Sequence, residues 1–72
     1  MKPLAWLLLS IWLIQTAPPG LGEHYTRGVT LQEAGRWAEA EAEYRSALSI
    51  DPQHAPSWNN LGSVLLRQGR FP

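Results

Sequence analysis

Three groups of residues in this chain carry side chains able to do chemistry: His24 and His54, the glutamates of the run "EAEAEYR" that begins at Glu39, and Ser57 and Ser63. The two histidines have no cysteine companions and lack the i,i+4 spacing that places a metal pair on one helix face, so both read as ordinary polar residues. Glutamates at alternate positions of a helix point about 200° apart and do not converge on one substrate; they read as a solvated face. Ser57 and Ser63 are read as having no sequence-near base to activate them, and Gly20 and Gly22 belong to no phosphate loop. The sequence therefore predicts no catalytic residue, no metal site and no cofactor.

Bulk composition excludes further classes. Among 72 residues, six basic and six acidic side chains cancel without forming a run of either sign, which argues against nucleic acid as a partner. Cysteine is absent, which removes disulfides, thiolate catalysis and cysteine-based zinc sites together.

The first 22 residues, "MKPLAWLLLSIWLIQTAPPGLG", place one positive residue, Lys2, before an apolar block from Leu4 to Ile14 and then turn to Pro, Gly and Ala. This is the layout of a secretory signal peptide. As a helix the block would reach about 17 Å, short of the roughly 30 Å hydrocarbon core. Cleavage is expected after Gly22 rather than Ala17, because Pro18 would adjoin the latter cut. An uncleaved anchor or the end of a membrane span is the alternative, with Trp6 and Trp12 suited to an interface. A buried helix of a soluble domain is the third reading. Either of the first two puts residues 23–72 in the secretory pathway, secreted, lumenal, periplasmic or held at a membrane through this segment alone.

Residues 23–72 carry an internal period. An offset of 34 pairs Gly28 with Gly62, Leu31 with Leu65, Gly35 with Gly69 and Arg36 with Arg70, and matches Trp37 with Phe71. A repeat of this length is a helix-turn-helix unit. From Trp37 to Ile50, Ala40, Tyr44, Ala47 and Leu48 recur at helical spacing, and Glu41 with Arg45 forms a favourable i,i+4 pair. Pro52 ends that helix, and Pro56 suits the first turn of the next, which runs to about Gln68 with Trp58, Leu61, Leu65 and Leu66 apolar and Gly69 as its stop. A weaker helix is expected over Glu23–Ala34. Gly28 and Gly62 lie inside first helices, where glycine costs about 1 kcal/mol relative to alanine, and so imply close approach by another helix backbone.

These residues resemble the tetratricopeptide repeat. Counting from Leu21, its small, large and turn positions fall on Gly28, Leu31 and Gly35, its post-turn aromatic on Trp37, its small and aromatic positions on Ala40, Tyr44 and Ala47, and its closing proline on Pro52. A second repeat starts at Ala55 with Trp58, Leu61, Gly62, Leu65 and Gly69. The resemblance implies an all-α fold, an α-solenoid fragment of three repeat helices behind an N-terminal hydrophobic helix: repeat 1 over about 21–54 and a truncated repeat 2 over about 55–72. His24 and Arg27 depart from the bulky apolar residues of the first helix, which weakens that repeat or marks it as the end of an array, where one face meets water. The chain reaches Pro72 before a second helix of repeat 2, so the expectation is a fragment, a truncated product, or a chain that a partner completes.

The resemblance further implies binding rather than catalysis: a scaffold or adaptor whose first helices line a groove for a protein or peptide partner. By motif position the groove residues would be Tyr25, Val29, Gln32 and Glu33 in repeat 1 and Asn59, Asn60, Ser63 and Arg67 in repeat 2. Asn60 matches an asparagine whose amide, in some members, hydrogen-bonds a ligand's backbone. The alternative is the lumenal repeat region of a membrane-embedded glycosyltransferase of the endoplasmic reticulum, similar in the order of apolar span and repeats, with catalytic residues outside this chain.

Overall fold

A computed structural model describes residues 20–70, which form three helices: α1, Leu21–Glu33; α2, Trp37–Ile50; and α3, Ala55–Arg67. The described residues are all-α and follow the helix-turn-helix order of a tetratricopeptide repeat. The signal or anchor segment lies outside them, apart from its last residues. Of these, Leu21 and Gly22 form the first turn of α1, so the helix starts two residues before its expected bound. The Glu23 carboxylate explains the early start: it accepts from the Gly20 backbone N–H at 2.9 Å and so satisfies the N-cap donor. No helix among the described residues is long and apolar enough to cross a membrane.

The repeat identities are read out as two matching helix ends. After α1, Gly35 takes φ 76°, its N–H reaches Gln32 O at 3.0 Å, and the Arg36 N–H reaches Leu31 O at 2.9 Å. After α3, Gly69 takes φ 71°, its N–H reaches Leu66 O at 3.0 Å, and the Arg70 N–H reaches Leu65 O at 2.8 Å. This paired closure needs a left-handed residue just past the helix, which glycine adopts without a Cβ clash. Asp51 stops α2 instead: its carboxylate accepts from the Gln53 N–H at 3.0 Å, and its carbonyl from the His54 N–H at 3.1 Å. Pro52, expected at the repeat's closing turn, sits exposed there.

The core is the underside of α2 and what it meets. Ala40, Tyr44, Ala47 and Leu48 of α2 are buried, with Leu61 and Val64 of α3 against them and Tyr25, Val29, Leu31, Trp37 and Leu65 packed at the edge. α2 thus lies between α1 and α3, which touch each other only slightly. Gly28 is buried against the Tyr44 ring: a Cβ there would stand 2.5 Å from Tyr44 Cε1. The close approach expected at this glycine is therefore real but comes from an aromatic side chain, not a helix backbone. At Gly62 it is absent, since a Cβ would meet nothing within 4 Å among the described residues. Trp58, expected to pack, is 53% exposed, with its indole N–H donating to Pro52 O at 2.7 Å.

The glutamates do not form a single wet face. Glu43 pairs with His24 Nδ1 of α1 at 2.8 Å. Glu41, on the opposite flank, accepts from Arg45 at 2.9 Å, from Gln68 at 3.0 Å and from Arg70 at 2.7 Å. Only Glu39 of the three is exposed, paired with Arg36 at 2.6 Å. The roughly 200° between alternate positions, which rules out convergence on a substrate, here turns one carboxylate to each neighbouring helix.

Candidate peptide-binding groove

α1 and α3 stand side by side on α2, and the furrow between their outer faces is floored by polar atoms. The Tyr44 hydroxyl rises from α2 and donates to Gln32 Oε1 at 2.6 Å. With its hydrogen so committed, its oxygen can only accept, so the Asn60 group 3.3 Å away must be the amide Nδ2. The same Nδ2 donates to the Tyr25 hydroxyl at 3.2 Å. One chain of hydrogen bonds therefore joins α1, α2 and α3. Burial is the largest influence on the Tyr44 phenol, pushing its pKa above 10.0, with Tyr25 and Glu33 adding to the rise and the Asn60 amide opposing it.

Near the C-terminal ends of α1 and α3 the furrow opens into a cleft of about 590 Å³ lined by Gln32, Ser63, Leu66 and Arg67. The Arg67 guanidinium lies 5.8 Å from the centre of the Trp37 ring, a cation–π contact that ties the cleft to α2. Glu33 and Arg67 are both exposed, and they occupy equivalent positions of the two repeats.

Of the residues expected in the groove, Tyr25 and Asn60 meet across the floor, and Gln32, Ser63 and Arg67 come together in the cleft. Val29 is half-buried and packs on the core edge. Asn59 is exposed, and its amide reaches Asn60 Oδ1 at 3.5 Å. Asn60 differs from the expectation in one respect: both its amide hydrogens are used inside the protein, and what it can offer a ligand is Oδ1.

Sequence reasoning missed two features. Leu66, expected in the apolar stripe, is 58% exposed at the cleft. Its spacing of two from buried Val64 puts it about 200° away, which is the signal that was available. Ser57 does have a base beside it, since His54 Nδ1 lies 2.7 Å from its Oγ and accepts from its backbone N–H at 3.3 Å. Ser57 is fully buried in the first turn of α3, so this pair caps a helix and offers no accessible nucleophile. The Tyr25 ring meets the His54 ring edge-on at 5.3 Å and closes that end of the furrow.

Comparison with known proteins agrees with this architecture. Over 51 residues the chain is 41% identical to Protein O-mannosyl-transferase TMTC1 of Homo sapiens, covering 71% of this chain and 6% of that protein. The Mus musculus protein of the same name is 41% identical over 51 residues, 5% of its length. Protein O-mannosyl-transferase Tmtc2 of Drosophila melanogaster is 48% identical over 42 residues, covering 58% of this chain and 4% of that protein. The chain thus spans only 4% to 6% of the length of these curated relatives. No solved structure matches. The TPR repeat pattern matches residues 30–69, more than half of the chain, and joins α2 to the helices on both sides of it: the chain belongs to the TPR repeat family.

Proposed function

We propose that this chain is a non-enzymatic protein-interaction module that holds an extended segment of another protein along the α1–α3 furrow, acting as a scaffold or adaptor in the secretory pathway. The observation that carries this is the cleft at Gln32, Ser63, Leu66 and Arg67, continuous with the hydrogen-bonded floor at Tyr25, Tyr44 and Asn60. An extended backbone brings unpaired N–H and C=O groups, and the furrow offers Asn60 Oδ1, Ser63 Oγ and the Arg67 guanidinium to meet them. Leu66 supplies an apolar contact between these polar groups. With Glu33 and Arg67 at equivalent positions the furrow carries both signs of charge, so a segment of mixed charge suits it better than a uniformly acidic or basic one.

Photocrosslinking tests the reading. A photoreactive residue at Ser63 should capture polypeptide from secretory-pathway extract, whereas the same residue at Ser49, on the outer surface of α2, should not. Equal capture at both positions would remove the furrow from consideration.

A second reading is favoured by the similarity to the O-mannosyl-transferases TMTC1 and Tmtc2. On it, the chain is a repeat segment of a membrane-embedded glycosyltransferase and presents polypeptide to a catalytic centre that lies in other parts of that protein. Attaching these residues to such a transferase, then deleting them, should change which polypeptides are modified while leaving transfer to a short peptide unaltered.

A further inference from the structure

Hydrogen bonding inside the protein decides which atoms Gln32, Ser63 and Arg67 have left for the cleft they line. Gln32 Oε1 accepts from the buried Tyr44 hydroxyl at 2.6 Å, so the part of that side chain left to meet a ligand is its amide, a donor. Arg67 carries only N–H donors, and among the described residues it takes part in no ion pair. Ser63 Oγ donates to Asn59 O at 3.4 Å, a long bond that leaves its oxygen able to accept. Glu33 stands at the position of α1 equivalent to Arg67, yet it does not line the cleft. Among the described residues the lining therefore holds one charge, a positive one on α3, facing an amide donor on α1.

Resting on the reading that the furrow holds an extended segment, we propose that the cleft selects one residue of that segment: it takes the side-chain carboxylate of an aspartate or glutamate, met by the Gln32 amide from α1 and the Arg67 guanidinium from α3. A carboxylate accepts at two oxygens and so can be met from both walls. A lysine or arginine would bring like charge to Arg67 and find Ser63 Oγ as its acceptor. An apolar side chain would take the amide and the guanidinium out of water without replacing the hydrogen bonds they lose. The carboxylate is that of a side chain, not of a chain end. The Tyr25–His54 contact closes the far end of the furrow, so a segment lying on the floor runs out through the cleft and meets it in passing.

The test uses the full chain, immobilised, and pools of short peptides, acetylated and amidated at their ends and randomised among uncharged residues, with a central Glu, Gln or Lys. The chain should retain the Glu pool at least about fivefold over the Gln pool, and the Lys pool least. Arg67 is exposed, so Arg67→Gln should keep helicity by circular dichroism while bringing the Glu and Gln pools level. Gln32→Glu keeps one oxygen for the Tyr44 hydroxyl and turns a second to the cleft, and should move the preference to the Lys pool. Arg27→Gln, with the same loss of charge on an exposed part of α1, should behave as the parent. Retention of no pool would remove the furrow as a peptide site, and this inference with it. Equal retention of all three pools would leave the furrow standing and overturn the carboxylate assignment alone. So would a Glu preference that survives both Arg67→Gln and Gln32→Glu, or one that falls equally in Arg27→Gln. A Gln pool with a free C-terminus retained as well as the amidated Glu pool would assign the cleft to a chain end and overturn it too.

Discussion

Gly28 and Gly62 are equivalent in sequence and opposite in environment, so the same substitution should stabilise the chain at Gly62 and fail to do so at Gly28. Alanine in place of a helical glycine stabilises by about 1 kcal/mol through the backbone alone. At Gly62 nothing among the described residues opposes that gain, because a new Cβ meets none of their atoms within 4 Å. At Gly28 the Cβ would lie 2.5, 2.8 and 3.0 Å from Tyr44 Cε1, Cδ1 and Cζ. Ordinary contact begins near 3.4 Å, so the ring would have to retreat by about 0.9 Å (3.4 less 2.5). It has little room to do so, being fully buried and held at its hydroxyl by Gln32 and Asn60. Forcing a methyl into such a site costs about 1–3 kcal/mol, which cancels or exceeds the backbone gain. Gly28→Ala should therefore fall about 1–3 kcal/mol below Gly62→Ala, a difference large enough to change the folded fraction of a marginal fold severalfold. Urea titration followed by circular dichroism at 222 nm measures it, with both variants compared with the parent chain. A Gly28→Ala chain as stable as Gly62→Ala would refute the claim that the α1–α2 spacing is fixed by ring against backbone.

Tyr44→Phe keeps the ring but removes the link among three helices, leaving Gln32 Oε1 and the Asn60 amide short of a partner; it should cost about 1–3 kcal/mol in the same titration and broaden the amide resonances of Asn60. Glu41 gives the chain a defined acid limb. Hydrogen bonds from Gln68 and then Arg45 lower its pKa below the ordinary 4.5, with the Arg70 and Arg45 charges assisting. A carboxyl depressed on folding contributes stability above its unfolded value, and that contribution is lost as pH falls from about 4.5 through the folded value. Glu41→Gln should flatten this part of a pH titration of stability. The raised phenol of Tyr44 acts at the other extreme: its contribution is complete below pH 10.0 and is lost as pH rises through the higher folded value, so Tyr44→Phe should flatten the alkaline limb.

Much of the fold is legible in the residues because the signals are local. Trp37–Ile50 follows directly from the spacing of Ala40, Tyr44 and Ala47 and from the break before Pro52. The paired glycines Gly35 and Gly69 announce matching helix ends because few other residues accept their φ. What was not legible depends on which neighbour stands where. Glu41 and Glu43 look like a wet face from within their own helix, and become cross-links only once α1 and α3 are on either side. Motif position brought Gln32, Ser63 and Arg67 to one cleft, but it could not say that both amide hydrogens of Asn60 are used by two tyrosines, 35 and 16 positions away. Repetition marks Gly28 and Gly62 as alike; only packing separates a glycine pressed by a ring from one that meets nothing among the described residues.

Because α1 and α3 hardly touch, the separation of their axes is determined by the girth of the helix beneath them. Ala40 and Ala47, both fully buried, make α2 slender where it carries its two neighbours. The width of the furrow is therefore a property of residues that no ligand in it would contact. Enlarging either alanine by one or two carbons would spread the upper helices like a wedge driven from below. Affinity and preference along such a furrow can thus drift through changes on its hidden side, while every residue on its walls stays the same.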